Sequence, residues 1–93
     1  MELKDTIEMM QSEDYKERFK AEYKQTKIRY EKLKRFNNKI EAAYRTECAL
    51  PSEKKVEMPA HDCPSDLLIE QQSVMGQYLH LLEVRAEIEG IEL

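Results

Sequence analysis

Apolar residues recur at helical spacing in two long stretches of this chain. The first runs through seam positions Tyr15, Phe19, Tyr23, Thr26, Tyr30, Leu33, Asn37, Ile40 and Tyr44, in steps of three and four residues. That near-heptad pattern predicts a long helix over 12–45 with one face turned to a partner helix. Ser12 is its expected N-cap, with Glu13 and Asp14 in the first turn, where the helix dipole favours carboxylates. Tyrosines fill four of the nine seam positions. They pack well but need partners for their hydroxyls, so the seam should be wetter than a leucine zipper. Asn37 either sets register or oligomer order, or marks where the partner helix ends.

The second stretch, 63–90, reads as another helix. Pro64 suits the first helical position, Asp66 the first turn, and Gly90 the residue that stops the helix. At 100° per residue its apolar side chains span roughly 200°, well beyond the ~100° stripe that one packed face requires. One seam (Leu68, Met75, Leu79, Leu82, Ala86) can face the long helix. The other (Leu67, Val74, Tyr78, Leu81, Ile88) needs a second surface, most simply a copy of itself in a symmetric oligomer. Gly76, in mid-helix, points to close approach by another helix or a ligand. Ile91, Glu92 and Leu93 are left as a short tail.

Before the long helix, residues 3–11 suggest a short helix with Leu3, Ile7 and Met10 on one side and Asp5 and Glu8 as a weak capping box. It is either an arm for another subunit or a locally packed terminus. Between the two long helices, residues 46–62 form a connector broken by Pro51 and Pro59. The expected fold is therefore all-α: an antiparallel helical hairpin with a short N-terminal helix, assembled into a symmetric homo-oligomeric helical bundle. All 93 residues form one domain, and a core of that size gains from oligomerisation.

Charge sharpens this picture. The chain carries a net charge of −4, and 37% of its residues are charged. Residues 14–45 hold 11 Lys/Arg against 5 Asp/Glu, whereas 66–93 hold Arg85 alone against 6 Asp/Glu. The two helices attract each other, and the basic one can still offer a local anion site. The acidic last helix argues against a nucleic-acid regulator. No apolar run nears the ~20 residues of a membrane span, and no apolar leader opens the chain, so a cytoplasmic protein with Cys48 and Cys63 as thiols is expected.

No catalytic constellation is present, and no enzyme activity or cofactor is expected. Cys48, His61 and Cys63 lack the tight cysteine spacing of structural zinc sites, so no metal is expected. Arg85 stands out because it lies inside the apolar arc, where a charge must be paired or solvated. Either it pairs with Glu22, since an in-register hairpin puts it beside residue 24, or it grips an anion through its planar fork. Gln71, also inside the arc, offers donors and acceptors suited to a nucleobase edge. Arg18 and Arg29 flank the long helix's seam, and Tyr23, Tyr30 and Tyr78 are able to stack a base or simply to pack.

The segments DYKERFKAEYKQTKIRYEKLK (14–34) and CPSDLLIEQQSVMGQYLHLLEVRAEIEG (63–90) resemble a family of short phage-encoded helical hairpin proteins related to a crAss-like phage protein. Such hairpins are similar in outline to phage anti-CBASS and anti-Thoeris sponges. The resemblance implies an oligomer in the host cytoplasm that sequesters a cyclic oligonucleotide or cyclic ADP-ribose-type signal without cleaving it. The residues suited to such a ligand are Arg18, Tyr23, Lys27, Arg29, Gln71, Tyr78 and Arg85, although no ligand motif is matched position by position. The alternative is a small protein–protein interaction module or inhibitor of a host protein.

Overall fold

A computed structural model describes residues 1–49 and 57–93. A 3₁₀ turn (Leu3–Thr6) runs into a one-turn helix, α1 (Ile7–Met10). Two long helices follow, α2 (Tyr15–Ala49) and α3 (Ser65–Glu89). They pack antiparallel over an elongated body of 58 × 25 × 20 Å. The hairpin and the short N-terminal helix are as expected. Residues 50–56 of the expected connector, with Pro51, lie outside the described residues.

Local chemistry moves several boundaries. Asp14, rather than Ser12, caps α2: its carboxylate accepts from the Lys16 N–H (3.1 Å) and its carbonyl from the Arg18 N–H (3.1 Å). Ser12 instead accepts from the Asp14 N–H through its hydroxyl (3.1 Å), a turn that leads the chain into the cap. At the far end α2 runs to Ala49, four residues past the expected stop, since no Gly or Pro interrupts it there. Pro64 takes the N-cap of α3 rather than its first helical position. Its extended backbone (φ −57°, ψ 142°) leads into the helix, and its carbonyl accepts from the Leu68 N–H.

Gly90 closes α3 in the left-handed region (φ 69°), where a side chain would be strained. The Ile91 N–H then bonds to the Ala86 carbonyl (2.9 Å). This reversal carries Ile91 back into the core, where it is 7% exposed. Ile91 is therefore an anchor, not part of a loose tail, as the hydrophobic contact of a left-handed cap often is.

The arm packs on its own chain. Thr6 is fully buried and donates its hydroxyl proton to the Leu3 carbonyl (2.7 Å). Gln25 reaches the Met10 sulfur, and an Arg18 Nη donates to the Ser12 carbonyl (2.7 Å). Ala21 is also fully buried, yet it sits about 200° around α2 from Phe19. Among the described residues only the arm can cover it. The capping pair also differs from expectation: Asp5 accepts from the Glu2 N–H (2.8 Å), so the first turn starts earlier than an Asp5–Glu8 box would place it. Ile7, expected on the packed side, faces solvent.

The core is concentrated at one end of the hairpin. Phe19 and Tyr23 of α2 meet Leu79, Leu82 and Ala86 of α3, with Ile91 beneath. Each large side chain buried there contributes roughly 1.5–3 kcal/mol. Further along, Tyr30 lies in the notch left by Gly76: a Cβ there would sit 3.4 Å from the tyrosine ring. The close approach that Gly76 announced is thus made by α2 itself.

Beyond Tyr30, Asn37 donates to the Leu68 carbonyl (3.1 Å) and to Gln72 Oε1 (2.9 Å). It holds the hairpin's own register instead of marking the end of its partner helix. Tyr44, placed on the seam by spacing, is 63% exposed. Its stretch of α2 extends past the start of α3 and, among the described residues, has no helix opposite it.

Candidate ligand-binding surface

The inner seam of α3 packs as its spacing requires. The outer seam remains open: Leu67, Val74, Tyr78, Leu81 and Ile88 are 40–79% exposed. Together with Gln71 and Arg85, these residues follow strict alternating steps of four and three from Leu67 to Ile88. Leu67, Val74, Leu81 and Ile88 form one heptad row, and Gln71, Tyr78 and Arg85 the other.

A polar network edges this seam. Arg85 does not pair with Glu22. One Nη donates to the Tyr15 hydroxyl (2.6 Å), Nε donates to Glu89 (3.1 Å), and the guanidinium lies 5.0 Å from the Phe19 ring centre. Glu22 accepts from the Tyr78 hydroxyl. The helices are set roughly one turn away from the expected alignment, fixed by Tyr30 on Gly76 and by Asn37 on Leu68. Arg85 therefore falls across from Tyr15 and Phe19, and Tyr78 takes its place beside Glu22. The Glu89 contact was readable from its i,i+4 spacing. The Tyr15 contact needed the register.

The electrostatics follow this geometry. Partial desolvation works against the Arg85 charge, but Tyr15, Glu89 and Glu22 outweigh it and hold its pKa above the ordinary value. The hydrogen bond to Glu89 raises the Tyr15 phenol, and the bond to Glu22 raises that of Tyr78. Arg85 is thus already engaged by an acid-rich neighbourhood, although its side chain is 51% exposed.

The remaining expected residues do not converge on one site. Tyr23 is in the core, and its hydroxyl donates to Glu83 (2.7 Å). Arg18 ties the arm to α2. Arg29 and Gln71 are exposed. Lys27 lies with Nζ 5.7 Å from the Tyr23 ring centre and also lines a groove between α2 and the arm. Two pairs are brought near each other: Lys27 with Tyr23, and Tyr78 with Arg85 along the row of Glu22 and Tyr15. Cys48 and Cys63 are exposed free thiols, and among the described residues no group of three or more His, Cys, Asp or Glu could hold a metal. No described helix is long and apolar enough to cross a membrane.

Tyr23 gives a test of this packing. Burial, with the hydrogen bond to Glu83, pushes its phenol from 10.0 up to about 12. The folded state holds this proton more tightly than the unfolded chain does. Its stabilising effect is fully present below pH 10 and is lost as pH rises towards 12. Helicity and urea stability should therefore fall over that window, and Tyr23→Phe, which has no proton to lose, should flatten the decline. An identical decline in both proteins would place Tyr23 in water.

No curated protein and no solved structure matches this chain. Residues 13–88, from the turn before α2 to the last turn of α3, match the family model described as Sequestin. That match covers most of the sequence, and the chain belongs to the Sequestin family, whose membership suggests binding and sequestration of a molecule rather than catalysis.

Proposed function

We propose that this protein is a phage counter-defence sponge: a homo-oligomer that sequesters an anionic nucleotide signal, of cyclic oligonucleotide or cyclic ADP-ribose type, without cleaving it. The observation that carries the reading is the open heptad seam of α3, with Gln71, Tyr78 and Arg85 on its polar row. A single hairpin leaves that surface in water. A second copy laid along it would bury the apolar row and enclose the polar one. Antiparallel pairing suits the charges best. It sets Arg85 towards the N-terminal half of a second copy's α3, where Asp66 and Glu70 lie, whereas parallel pairing would stack Arg85 on itself.

The same open seam supports a second reading, a module that docks another protein. The two are separated by incubating purified protein with a panel of cyclic di- and trinucleotides and cyclic ADP-ribose-type molecules. A sponge is stabilised to heat by at least one of them and releases it chemically intact on denaturation. Stabilisation by none, or recovery of a cleaved product, would sink the sponge reading.

A further inference from the structure

The back of α2, away from α3, carries a second surface. Lys24, Lys27, Ile28, Lys32 and Arg35 line an open groove of about 840 Å³, whose other wall is the arm with Leu3 and Lys4. That volume lies within the ~300–1,000 Å³ range of small-molecule sites. Its charge is opposite to that of the whole protein. Two carboxylates, Glu2 and Glu31, also line it, and Glu2 is taken up by Lys4 at 3.5 Å. Among the described residues, no ion pair engages Lys24, Lys27, Lys32 or Arg35. Four cations on adjacent turns therefore face one free carboxylate in a chain of net charge −4. Below them, Leu3 and Ile28 are half-buried and give the groove an apolar floor.

Arg85 presents the opposite case, since its charge is met by Glu89 and flanked by Glu22. A phosphate arriving there would have to displace one carboxylate and approach another. At the groove it would meet four cations that no ion pair engages, with Glu31 the one carboxylate left to compete, and lysine is a common phosphate ligand as a point charge. We infer that the groove between the arm and α2 is an anion site for a phosphate-bearing ligand. Lys24, Lys27, Lys32 and Arg35 hold the phosphates, and Leu3 and Ile28 support its less polar body. The inference borrows the nucleotide class from the function proposed above, but the phosphate preference rests on the groove's own charge.

The test is calorimetric titration of the full chain with pyrophosphate, ADP and cyclic dinucleotides. It compares wild type, Lys24→Gln/Arg35→Gln, and the control Arg45→Gln. Arg35 and Arg45 are exposed and Lys24 is half-buried, and circular dichroism checks that the fold is kept. Pyrophosphate and ADP should bind wild type with an affinity that falls as salt rises. The groove double variant should bind at least tenfold more weakly, and Arg45→Gln, an exposed cation of α2 outside the groove, should match wild type. Pyrophosphate binding lost in the double variant upholds the groove even if no cyclic nucleotide binds, in which case the sponge reading alone fails. Cyclic nucleotides that bind wild type and double variant equally would overturn the groove and leave the sponge standing. No binding of any phosphate probe to wild type would overturn it as well.

Discussion

Phe19→Ala is expected to cost about 3–5 kcal/mol of stability. Phe19 is 3% exposed and sits at the centre of the packed end, among Tyr23, Leu79, Leu82, Ala86 and Ile91. The rest of the hairpin is held by Tyr30 on Gly76, the hydrogen bonds of Asn37, buried Ala43 and half-buried Leu33, Leu68 and Met75, so the large buried apolar side chains are concentrated in this cluster. A domain of this size has only about 0.05–0.15 kcal/mol per residue, roughly 5–14 kcal/mol in total, so the variant should lose a large share of its stability. The substitution also removes the ring under Arg85, a contact worth about 0.5–1 kcal/mol at an exposed site. Urea denaturation at fixed protein concentration measures the effect. A loss below about 1 kcal/mol would mean that this cluster does not hold the hairpin together.

Val74→Lys with Leu81→Lys should separate the copies without unfolding the hairpin. Both side chains are more than half exposed in the single chain, at 57% and 60%, so the fold itself should change by no more than about 0.5 kcal/mol. If copies pair along the open seam, the two substitutions remove four buried side chains per dimer and place lysines there. That costs at least about 4 kcal/mol of association, roughly a thousandfold in affinity. Sedimentation should show wild type as an oligomer and the variant as a monomer of equal helicity. The melting temperature of wild type should rise with protein concentration, and that of the variant should not. A wild type that sediments as a monomer would overturn self-association along the seam.

The two proposals place demands on opposite faces of the molecule. Self-association uses the outer seam of α3, whereas the phosphate groove lies behind α2 and stays accessible in such an assembly. An oligomer of this kind would carry one groove per copy. Its capacity for ligand would then follow the number of chains rather than the number of interfaces, and calorimetric stoichiometry reads that directly.

The division of α3 into two seams was legible because helical periodicity assigns each side chain an angle, and apolar groups must leave water. Leu68, Met75, Leu79, Leu82 and Ala86 were assigned inward on that ground, and all five are buried or half-buried. The stop at Gly90 was legible for a similarly local reason, since a left-handed residue with no Cβ ends a helix cheaply. The folding back of Ile91 was missed because it depends on what the released chain finds beneath it.

Contacts between helices were less legible. Periodicity gives the angle of a side chain around its helix but not its height along the neighbour. Arg85 was placed on the correct face but beside residue 24, whereas the residues it meets across the hairpin, Phe19 and Tyr15, lie nearer the start of α2. Tyr30 against Gly76 and Asn37 against the Leu68 carbonyl set that height, and neither contact has a signature within a single helix. The groove behind α2 escaped for a related reason. Nothing in their spacing sets its lysines apart from a solvated face, and only the docking of the arm makes that face concave.

By itself the sequence determined the all-α hairpin, the inward and outward faces of α3, the basic and acidic character of the two long helices, and the stop of α3 at Gly90. These are properties of one segment in water, set by side-chain spacing, backbone freedom and charge. The tertiary structure decided which residues meet: Arg85 with Tyr15 and Glu89, Tyr78 with Glu22, and the arm with the cationic back of α2. Those pairings depend on the sliding register of two packed helices and on where the arm docks, and both are settled by the fit of side chains across the whole hairpin.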